Sequence, residues 1–539
     1  MRILTLSTLL GTLACGAGDP GRDAQGTTAA VTSDHRLASE AAMSVLERGG
    51  NAMDAAITAA GVLAVARPHM NGVGGDLFLL YYDAATQRTY GLNASGRAGA
   101  RATIAAVRQV VGDTGSFPET GPLSVSVPGA VSGWAAALAR FGSIAFADAL
   151  EPAARLAHAG LPISERLALD IAEEREKLAA EPEAARIYLA EGTVLRQDDL
   201  AATLDRLRAN GPDELYRGET GRRLVTYLTE RGGFLTEDDL ANHRAQWVEP
   251  ITLGYRGLTV AAMPPNTQGV MLLEALALIE RFDVAALGHN TSDYFHVLAE
   301  ALRIAVTDRD SSIADPAAMR VTVEQLLALE RIASLSATID PTGRAPGADV
   351  TAAADHPNTV YVSVVDSAGN AVSLIQSLFH AFGSGLVVPG TGVILHNRGS
   401  LYALDATHPN ALAPGRLPYH TLTPAMALRD GRPWLVFGTP GGDGQVHTLA
   451  QVLNNMLVFG MTPQEAIDAP RLRRLPSGGL SIEDRVPATV LDALRARGYN
   501  VRARAGWTAE FGGAQAILVT PEGLRAGADR RREAWALAR

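Results

Sequence analysis

Two runs of β-forming residues on either side of a tight turn are the feature that most limits how this chain folds. Residues Thr359–Val365 are mostly β-branched or aromatic, and Ala371–Ser377 have the same character. Between the two runs, Ser367-Ala368-Gly369 is typical of a three-residue turn in which the glycine takes a positive φ. The pattern predicts a β-hairpin, and hence a fold that contains a sheet.

The register of this hairpin follows from its turn. If Asp366 pairs with Asn370, then Thr359 pairs with Ser377. Directly opposed residues have Cβ atoms roughly 4.5–5.5 Å apart, so the two hydroxyl groups are predicted to face each other across the hairpin. A β-bulge would shift this pairing by one residue.

A threonine that begins a strand has a route to nucleophilic catalysis. Its hydroxyl needs an adjacent base, and a cut just before Thr359 would supply one, because the freed α-amino group has an unperturbed pKa of about 7.7–8.0. The preceding stretch Pro341–Pro357 is rich in small and turn residues, which predicts a mobile surface loop suited to such a cut. The alternative is that Thr359 is an ordinary strand residue.

Several short motifs in and around the hairpin extend this interpretation. Three of them are Ser363-Val364-Val365-Asp366, Gly369-Asn370-Ala371-Val372-Ser373 and Phe382-Gly383-Ser384-Gly385. Others follow in order along the chain: Ala38-Ser39-Glu40-Ala41-Ala42, Gly49–Ala56, Pro68-His69, Gly72–Gly75, Ser126-Val127-Pro128-Gly129, Glu151-Pro152-Ala153, Leu298-Ala299-Glu300-Ala301, Asp308-Arg309-Asp310, Pro440-Gly441-Gly442 and Asp468-Ala469-Pro470-Arg471. Together they resemble the γ-glutamyltransferase family of N-terminal-nucleophile hydrolases, from about Ala29 onward.

The resemblance implies a fold and a maturation step. The fold is α+β, a four-layer αββα sandwich in which one compact unit contains the whole mature chain. The precursor cuts itself between Asn358 and Thr359, giving a large region, 27–358, and a small catalytic region, 359–539. The two fragments form a heterodimer, alone or as a dimer of heterodimers.

The resemblance also assigns the catalytic groups. Thr359 is the nucleophile, and Ser377 stands where the family has a second threonine that supports it. The backbone N–H groups of Gly441 and Gly442 form the oxyanion hole, since glycine lets the backbone approach the substrate closely. No metal and no organic cofactor is implied. The alternative for Pro440-Gly441-Gly442 is a plain turn.

The chain departs from glutamyl-transferring members where they hold the substrate's α-amino group. Those members use an Asn, a Gln and an Asp, whose positions here carry Phe379, Arg398 and Leu401. A pocket that loses its acid and gains an arginine disfavours an ammonium group. It is expected to prefer a carboxylate, an oxo group or an apolar acyl group.

The positions that hold the α-carboxylate in glutamyl enzymes differ as well. Their pair of serines becomes His420-Thr421 here, and their carboxylate-binding arginine falls at Ser95, with Arg97 two residues later. These replacements resemble a branch of the family that includes oxamate amidohydrolases and cephalosporin-acylase-like proteins. The segments that carry this second resemblance are Asn71–Phe78, Gln376–His380, Asn397-Arg398-Gly399, Leu417–Thr421 and Gly441–Gln445.

The hypothesis is therefore an amide hydrolase whose substrate is a small molecule with an acidic or oxo acyl group and no α-amino group. The residues expected to bind it are Arg398, His420, Thr421, Arg97 and Phe379. The alternative for Arg398 is a structural salt bridge, and for His420 a hydrogen bond within the core. Two other functions stay open: a γ-glutamyltransferase or glutathione hydrolase, and an unprocessed, inactive relative that acts as a binding protein.

Composition excludes some classes of partner. The net charge is −10, which disfavours a nucleic-acid-binding surface on electrostatic grounds. No run of 18 or more apolar residues occurs, so no membrane span is expected in the mature protein. The single cysteine, Cys15, excludes an intramolecular disulfide.

The first 26 residues predict a leader. Met1-Arg2 is a short positive start, Ile3–Ala14 is an apolar run of signal-peptide length, and Cys15 follows it as in a lipoprotein signal. Gly16–Thr28 is polar and predicts a disordered tether. We expect an exported protein, periplasmic or lipid-anchored at Cys15; the alternative is a cytoplasmic enzyme with a misassigned start codon.

Hydrophobic spacing places the other main elements. The predicted helices are Leu37–Arg48, Ala52–Ala66, Asp293–Asp308, Val446–Phe459 and Leu491–Arg497. The predicted strands outside the hairpin include Leu77–Tyr82, a segment near Leu258–Met263, and Ala514–Thr520 as the closing strand.

Overall fold

A computed structural model describes residues 21–343, 358–475 and 477–539. The helices in these residues are α1 (Arg36–Glu47), α2 (Ala52–Ala66), α3 (Ile104–Val111), α4 (Ala130–Phe141), α5 (Phe146–Ala159), α6 (Glu165–Glu173), α7 (Arg175–Ala179), α8 (Pro182–Tyr188), α9 (Asp198–Asn210), α10 (Asp213–Tyr216), α11 (Glu219–Thr229), α12 (Glu237–Ala241), α13 (Gly269–Glu280), α14 (Val284–Leu287), α15 (Ser292–Ser312), α16 (Val323–Leu326), α17 (Leu329–Ser336), α18 (Gln445–Leu457), α19 (Pro463–Asp468) and α20 (Ala488–Ala496).

The strands of the same residues are β1 (Asp23–Gly26), β2 (Ala30–Ser33), β3 (Asp76–Asp83), β4 (Arg88–Ala94), β5 (Leu161–Pro162), β6 (Val194–Leu195), β7 (Gln246–Val248), β8 (Ile251–Tyr255), β9 (Leu258–Ala262), β10 (Asn358–Val365), β11 (Ala371–Phe379), β12 (Val387–Val388), β13 (Val393–Ile394), β14 (Ala425–Arg429), β15 (Arg432–Gly438), β16 (Leu472–Arg474), β17 (Leu480–Glu483), β18 (Val501–Arg504), β19 (Gln515–Thr520), β20 (Gly523–Ala528) and β21 (Trp535–Ala538).

Two large antiparallel sheets form the centre of the molecule. The first has the strand order β21-β2-β10-β11-β3-β4-β7, and the second has the order β1-β20-β19-β15-β14-β9-β8. One buried cluster joins them, with Phe78 and Tyr361 from the first sheet and Met426, Val436 and Ile517 from the second. The two sheets therefore pack face to face.

Helices cover the outer face of each sheet. Helices α1, α2, α4, α5 and α9 share a core with β3, β10 and β11 of the first sheet. Helices α13, α15 and α18 share another with β9, β14 and β15 of the second. The order of layers is helix, sheet, sheet, helix, which confirms the predicted αββα sandwich.

The helix α2 shows how the sequence determines one of these layers. Every side chain from Ala52 to Ala66 is buried, as expected for a helix that is apolar on all sides. A capping box starts it, because the Asn51 side chain accepts from the Asp54 N–H and the Asp54 carboxylate accepts from the Asn51 N–H. Its bounds agree with the predicted helix.

The predicted hairpin is present in the predicted register. Strand β10 pairs with β11 so that Thr359 lies opposite Ser377, and the Asp366 N–H donates to the Asn370 carbonyl at 3.1 Å. An irregularity lies between Asn358 and Thr359, since Asn358 pairs with Phe379 and one extra residue of β11 lies between the two pairs. The bulge therefore falls at the predicted cleavage site and leaves the Thr359–Ser377 pair intact.

Two sequence expectations about the chain ends are wrong. The polar composition of Gly16–Thr28 predicts a disordered tether, but Asp23–Gly26, within its described part, is a strand paired with β20. This pairing uses backbone hydrogen bonds, which a polar composition does not reveal. The sequence pattern predicts Ala514–Thr520 as the closing strand, but β20 and β21 follow it, and β21 pairs with β2 at the edge of the other sheet.

Some predictions fall outside the described residues. They concern the apolar leader with Cys15, within residues 1–20, and most of the loop Pro341–Pro357, of which 344–357 are not described. Both stay predictions. Among the described helices, none combines the length and the apolar character that crossing a bilayer requires.

The close contact between the two sheets at Gly438 gives a stability test. A Cβ built on Gly438 would overlap the ring of Tyr361, a fully buried residue of β10. We expect Gly438→Ala to cost about 1–3 kcal/mol, as overpacking typically does, and to lower the melting temperature measured by differential scanning fluorimetry. Gly254→Ala is the matched control, because a Cβ there meets nothing within 4 Å; equal melting temperatures for both variants would contradict the packing described here.

Candidate active site

The two hydroxyl groups of the hairpin are in hydrogen-bond contact. Thr359 Oγ1 lies 3.0 Å from Ser377 Oγ, and both residues are buried. Ser377 Oγ donates to the Asn358 carbonyl at 3.0 Å and accepts from the Phe379 N–H at 2.8 Å. Because the serine proton is directed at Asn358, the Thr359 hydroxyl is the donor in the pair.

This geometry brings Ser377 to the peptide bond that the sequence predicts to be cut. The carbonyl that receives its hydrogen bond is the one that joins Asn358 to Thr359. A hydroxyl donor at that oxygen polarises the carbonyl towards nucleophilic attack. One side chain therefore contacts both the candidate nucleophile and the bond before it.

A glycine-rich segment lies against the end of β11. A Cβ on Gly75 would come within 2.6 Å of the Ser377 carbonyl oxygen. The Leu378 N–H donates to the Met70 carbonyl at 2.9 Å, and the His396 N–H donates to the Gly74 carbonyl at 3.1 Å. Glycine is needed at position 75 because the two backbones approach so closely.

The predicted oxyanion turn lies between β15 and α18. Gly441 has φ +141° and Gly442 has φ +54°, so both occupy the region of positive φ that favours glycine. A short 3-10 turn, Gly442–Gly444, then leads into α18. Among the hydrogen bonds of the described residues, no backbone acceptor receives a bond from the N–H of Gly441 or of Gly442.

A cavity of about 560 Å³ lies beside the hairpin and this turn. Phe379, next to the hairpin hydroxyls in β11, lines it, and so does Asp443, which directly follows Gly442. Its apolar wall and its polar groups include Phe117, Ile313, Leu401, Tyr402, Tyr419, Thr421, Arg309, Asp310, His380 and His408. We name it the acyl cavity, because Phe379 and Thr421, two of the residues that the sequence predicts to bind the acyl group, line it.

Arg398 and His420 meet in a buried cluster around Asp76. The Asp76 carboxylate lies 3.7 Å from Arg398 Nε, 3.4 Å from His396 Nδ1 and 3.8 Å from His420 Nε2. His420 Nε2 is also 2.7 Å from Ser95 Oγ. All four of these charged or ring side chains are fully buried. The structure therefore contains both contacts that the sequence analysis gave as alternatives to substrate binding: a salt bridge for Arg398 and a buried hydrogen bond for His420.

Burial dominates the titration of this cluster. It raises the pKa of Asp76, while His396 and Arg398 oppose that shift. It also holds the pKa of His420 well below its ordinary value, and the positive charge of Arg398 adds to the effect. His420 is therefore a neutral hydrogen-bonding residue at neutral pH.

The structure joins three of the predicted binding residues and separates a fourth. The Arg398 guanidinium lies over the Phe379 ring, 4.3 Å from its centroid, and its Nη1 is 3.4 Å from Thr421 Oγ1. Phe379 and Thr421 both line the acyl cavity. Arg97 instead lines a second cavity of about 650 Å³, where it pairs with Asp315 at 3.4 Å and donates to the Gly415 carbonyl at 2.9 Å.

Three residues of the site had no role in the sequence analysis: Asp76, Arg309 and Asp443. Arg309 is almost fully buried, 2.9 Å from Asp443, and lines the acyl cavity. Each residue belongs to a motif that carried the family resemblance, and its place in that motif was the only sign in the sequence that it could belong to the site. Their contacts join segments far apart in sequence, which spacing alone does not reveal.

The sequence profile described as gamma-glutamyltranspeptidase matches residues 38–538. The chain belongs to the gamma-glutamyltranspeptidase family. The crystal structure of a cephalosporin acylase from Bacillus halodurans matches the fold with a TM-score of 0.89 and 33% identity, and covers 99% of each chain. The predicted resemblance and the N-terminal-nucleophile hydrolase fold are confirmed.

Two relatives match over almost their whole lengths. One is the Bacillus subtilis protein named glutathione hydrolase-like YwrD proenzyme, 37% identical, with 94% of this chain and 97% of the relative aligned. The other is the oxamate amidohydrolase proenzyme of Klebsiella pneumoniae, 37% identical, with 92% and 95% aligned. Both relatives are named as proenzymes, and their names differ in substrate.

The ion pair of Asp76 gives a test of the buried cluster. We expect Asp76→Asn to destabilise the protein by about 3–5 kcal/mol, because it removes the carboxylate from a buried guanidinium. Glu249→Gln is the matched control, since Glu249 pairs with Arg88 at 3.3 Å on an exposed surface and such pairs contribute about 0–1 kcal/mol. Melting temperatures measured side by side check this; a loss no larger for Asp76→Asn than for Glu249→Gln would contradict it.

Proposed function

We propose that this protein is a self-processing amide hydrolase with Thr359 as its nucleophile. The observation that carries the proposal is the contact of Thr359 with Ser377, whose hydroxyl also donates to the Asn358 carbonyl. The family membership and the proenzyme names of the relatives support it.

Processing uses the same residues as catalysis. The Thr359 hydroxyl attacks the Asn358 carbonyl, its proton passes to the Thr359 nitrogen as the C–N bond breaks, and an ester links the two fragments. Water then hydrolyses this ester and leaves a free α-amino group on Thr359. The products are a large fragment that ends at Asn358 and a small one that covers 359–539, and they stay associated because β10 is an interior strand between β2 and β11.

In the mature enzyme, the α-amino group of Thr359 takes the proton from its hydroxyl, directly or through a water molecule. The oxygen attacks the amide carbonyl, and the N–H groups of Gly441 and Gly442 stabilise the oxyanion by about 2.7–4 kcal/mol per donor. The C–N bond breaks, the amine leaves with the proton, and an acyl-Thr359 ester stays. Attack by water releases the acid, whereas attack by an amine transfers the acyl group.

We propose that the acyl group lacks an α-amino group and carries an acidic or oxo function. The positions that hold an amino acid in glutamyl enzymes are occupied here by the buried cluster of Arg398, His420 and Ser95 around Asp76. The acyl cavity beside it has an aromatic wall that includes Phe379 and a polar group in Thr421. Arg398, stacked on Phe379, places positive charge behind that wall.

A glutathione hydrolase is the second candidate, because one relative is named glutathione hydrolase-like. Two substrates separate the candidates: γ-glutamyl-p-nitroanilide and glutaryl-p-nitroanilide differ only in the α-amino group. We expect kcat/KM to be at least about tenfold higher for the glutaryl compound, equivalent to 1.4 kcal/mol. Release of p-nitroaniline measures both rates, and a preference for the glutamyl compound would favour the second candidate.

Self-processing has its own test. We expect wild-type protein to give two fragments by denaturing mass spectrometry, the smaller beginning at Thr359, and Thr359→Ala to stay a single inactive chain. Thr58→Ala is the matched control, because Thr58 is a buried threonine of α2 and has no part in the site. An uncut wild-type chain, or a cut Thr359→Ala chain, would contradict the proposal and favour the inactive binding protein.

A further inference from the structure

A buried arginine lies beside the oxyanion turn. Arg309, on α15, is 5% exposed; its Nη1 lies 2.9 Å from Asp443 Oδ1, and its Nη2 lies 2.6 Å from Asp310 Oδ1. Burial disfavours its charge, but the carboxylates of Asp443 and Asp310 more than offset this and raise the pKa of Arg309. The guanidinium is thus a permanent cation between two acids.

Asp443 links this cation to the backbone that would stabilise the oxyanion. It is the middle residue of the turn Gly442–Gly444 and directly follows Gly442. Glycines at positive φ give the chain little intrinsic rigidity, because their backbone has many accessible conformations. The direction of the Gly441 and Gly442 N–H groups therefore depends on what holds the turn from outside.

A second set of contacts holds the same turn and meets Arg309. Gln268 Nε2 donates to the Gly442 carbonyl at 3.1 Å and to the Thr421 carbonyl at 2.7 Å. Its Oε1 accepts from the Tyr419 hydroxyl at 3.1 Å. The Tyr419 ring lies 5.7 Å from the Arg309 guanidinium. A connected set of contacts therefore runs from Arg309 of α15 through Tyr419 and Gln268 to the Gly442 carbonyl.

We propose that Arg309 is a positioning residue that acts through Asp443 to hold the oxyanion turn in its catalytic orientation. The inference rests on the proposed function. It predicts a loss in the chemical step, since misdirected donors stabilise the transition state less while ground-state binding in the acyl cavity changes little.

The variants Arg309→Met, Asp443→Asn and their combination test it. With rates expressed per processed enzyme, we expect each single variant to lower kcat by about 10–100-fold and to change KM by less than about threefold. The double variant should lose no more than the more impaired single variant, because both changes break one link. Arg303→Met is the control, since Arg303 forms an ion pair with Glu300 on the same helix; its kcat should stay within about twofold.

Three results would overturn the inference: unchanged kcat in both single variants, a rise confined to KM, or losses that multiply in the double variant. A rise confined to KM would show that Arg309 binds substrate itself, and losses that multiply would show that Arg309 and Asp443 act independently. If Arg309→Met does not fold or process, Asp443→Asn decides, because it keeps the shape of the side chain and removes its charge. A failure of the proposed function is distinct, since wild-type protein would then show no processing or amide hydrolysis.

Discussion

The pairing of β10 with β11 is the interaction on which the rest of the site depends. It sets Thr359 opposite Ser377 in the interior of a seven-stranded sheet, with β2 on one side and β3 on the other. A bulge directly before this pair lets Ser377 reach the Asn358 carbonyl as well. Because both sheet faces are covered, the two hydroxyls are held in a buried environment, where hydrogen bonds are stronger than in water.

A buried cluster of paired charges lies beside the acyl cavity. Arg398 and His420 form a fully buried cluster around the Asp76 carboxylate. Under the proposed function, Arg398 places positive charge behind the Phe379 wall, and this charge disfavours an ammonium group in the acyl cavity. The same cluster supports the wall of the acyl cavity through Phe379. Under the proposed function, substrate selection and core stability therefore depend on the same contacts.

The local features of the fold and of the site could be predicted from the sequence. The hairpin register, the all-apolar helix α2 and the glycine turn follow from turn chemistry, periodicity and motif, which act over a few residues. The strand β1 was missed because its signal is backbone pairing and not side-chain pattern. The contacts of Asp76 with Arg398 and of Arg309 with Asp443 were not predicted, because the two residues of each pair lie more than a hundred positions apart in the sequence. Charge pairs between residues so far apart in the sequence can be identified only when the fold is known.

The most direct test of the central claim is to trap the acyl-enzyme and locate it. Processed protein is mixed with its best amide substrate, quenched in acid during steady-state turnover, digested and analysed by mass spectrometry. The account predicts that the acyl mass is found on the peptide that begins at Thr359, and that it disappears when the substrate is exhausted. Turnover with the acyl group on Ser377 or any other residue would contradict the assignment of Thr359 as the nucleophile.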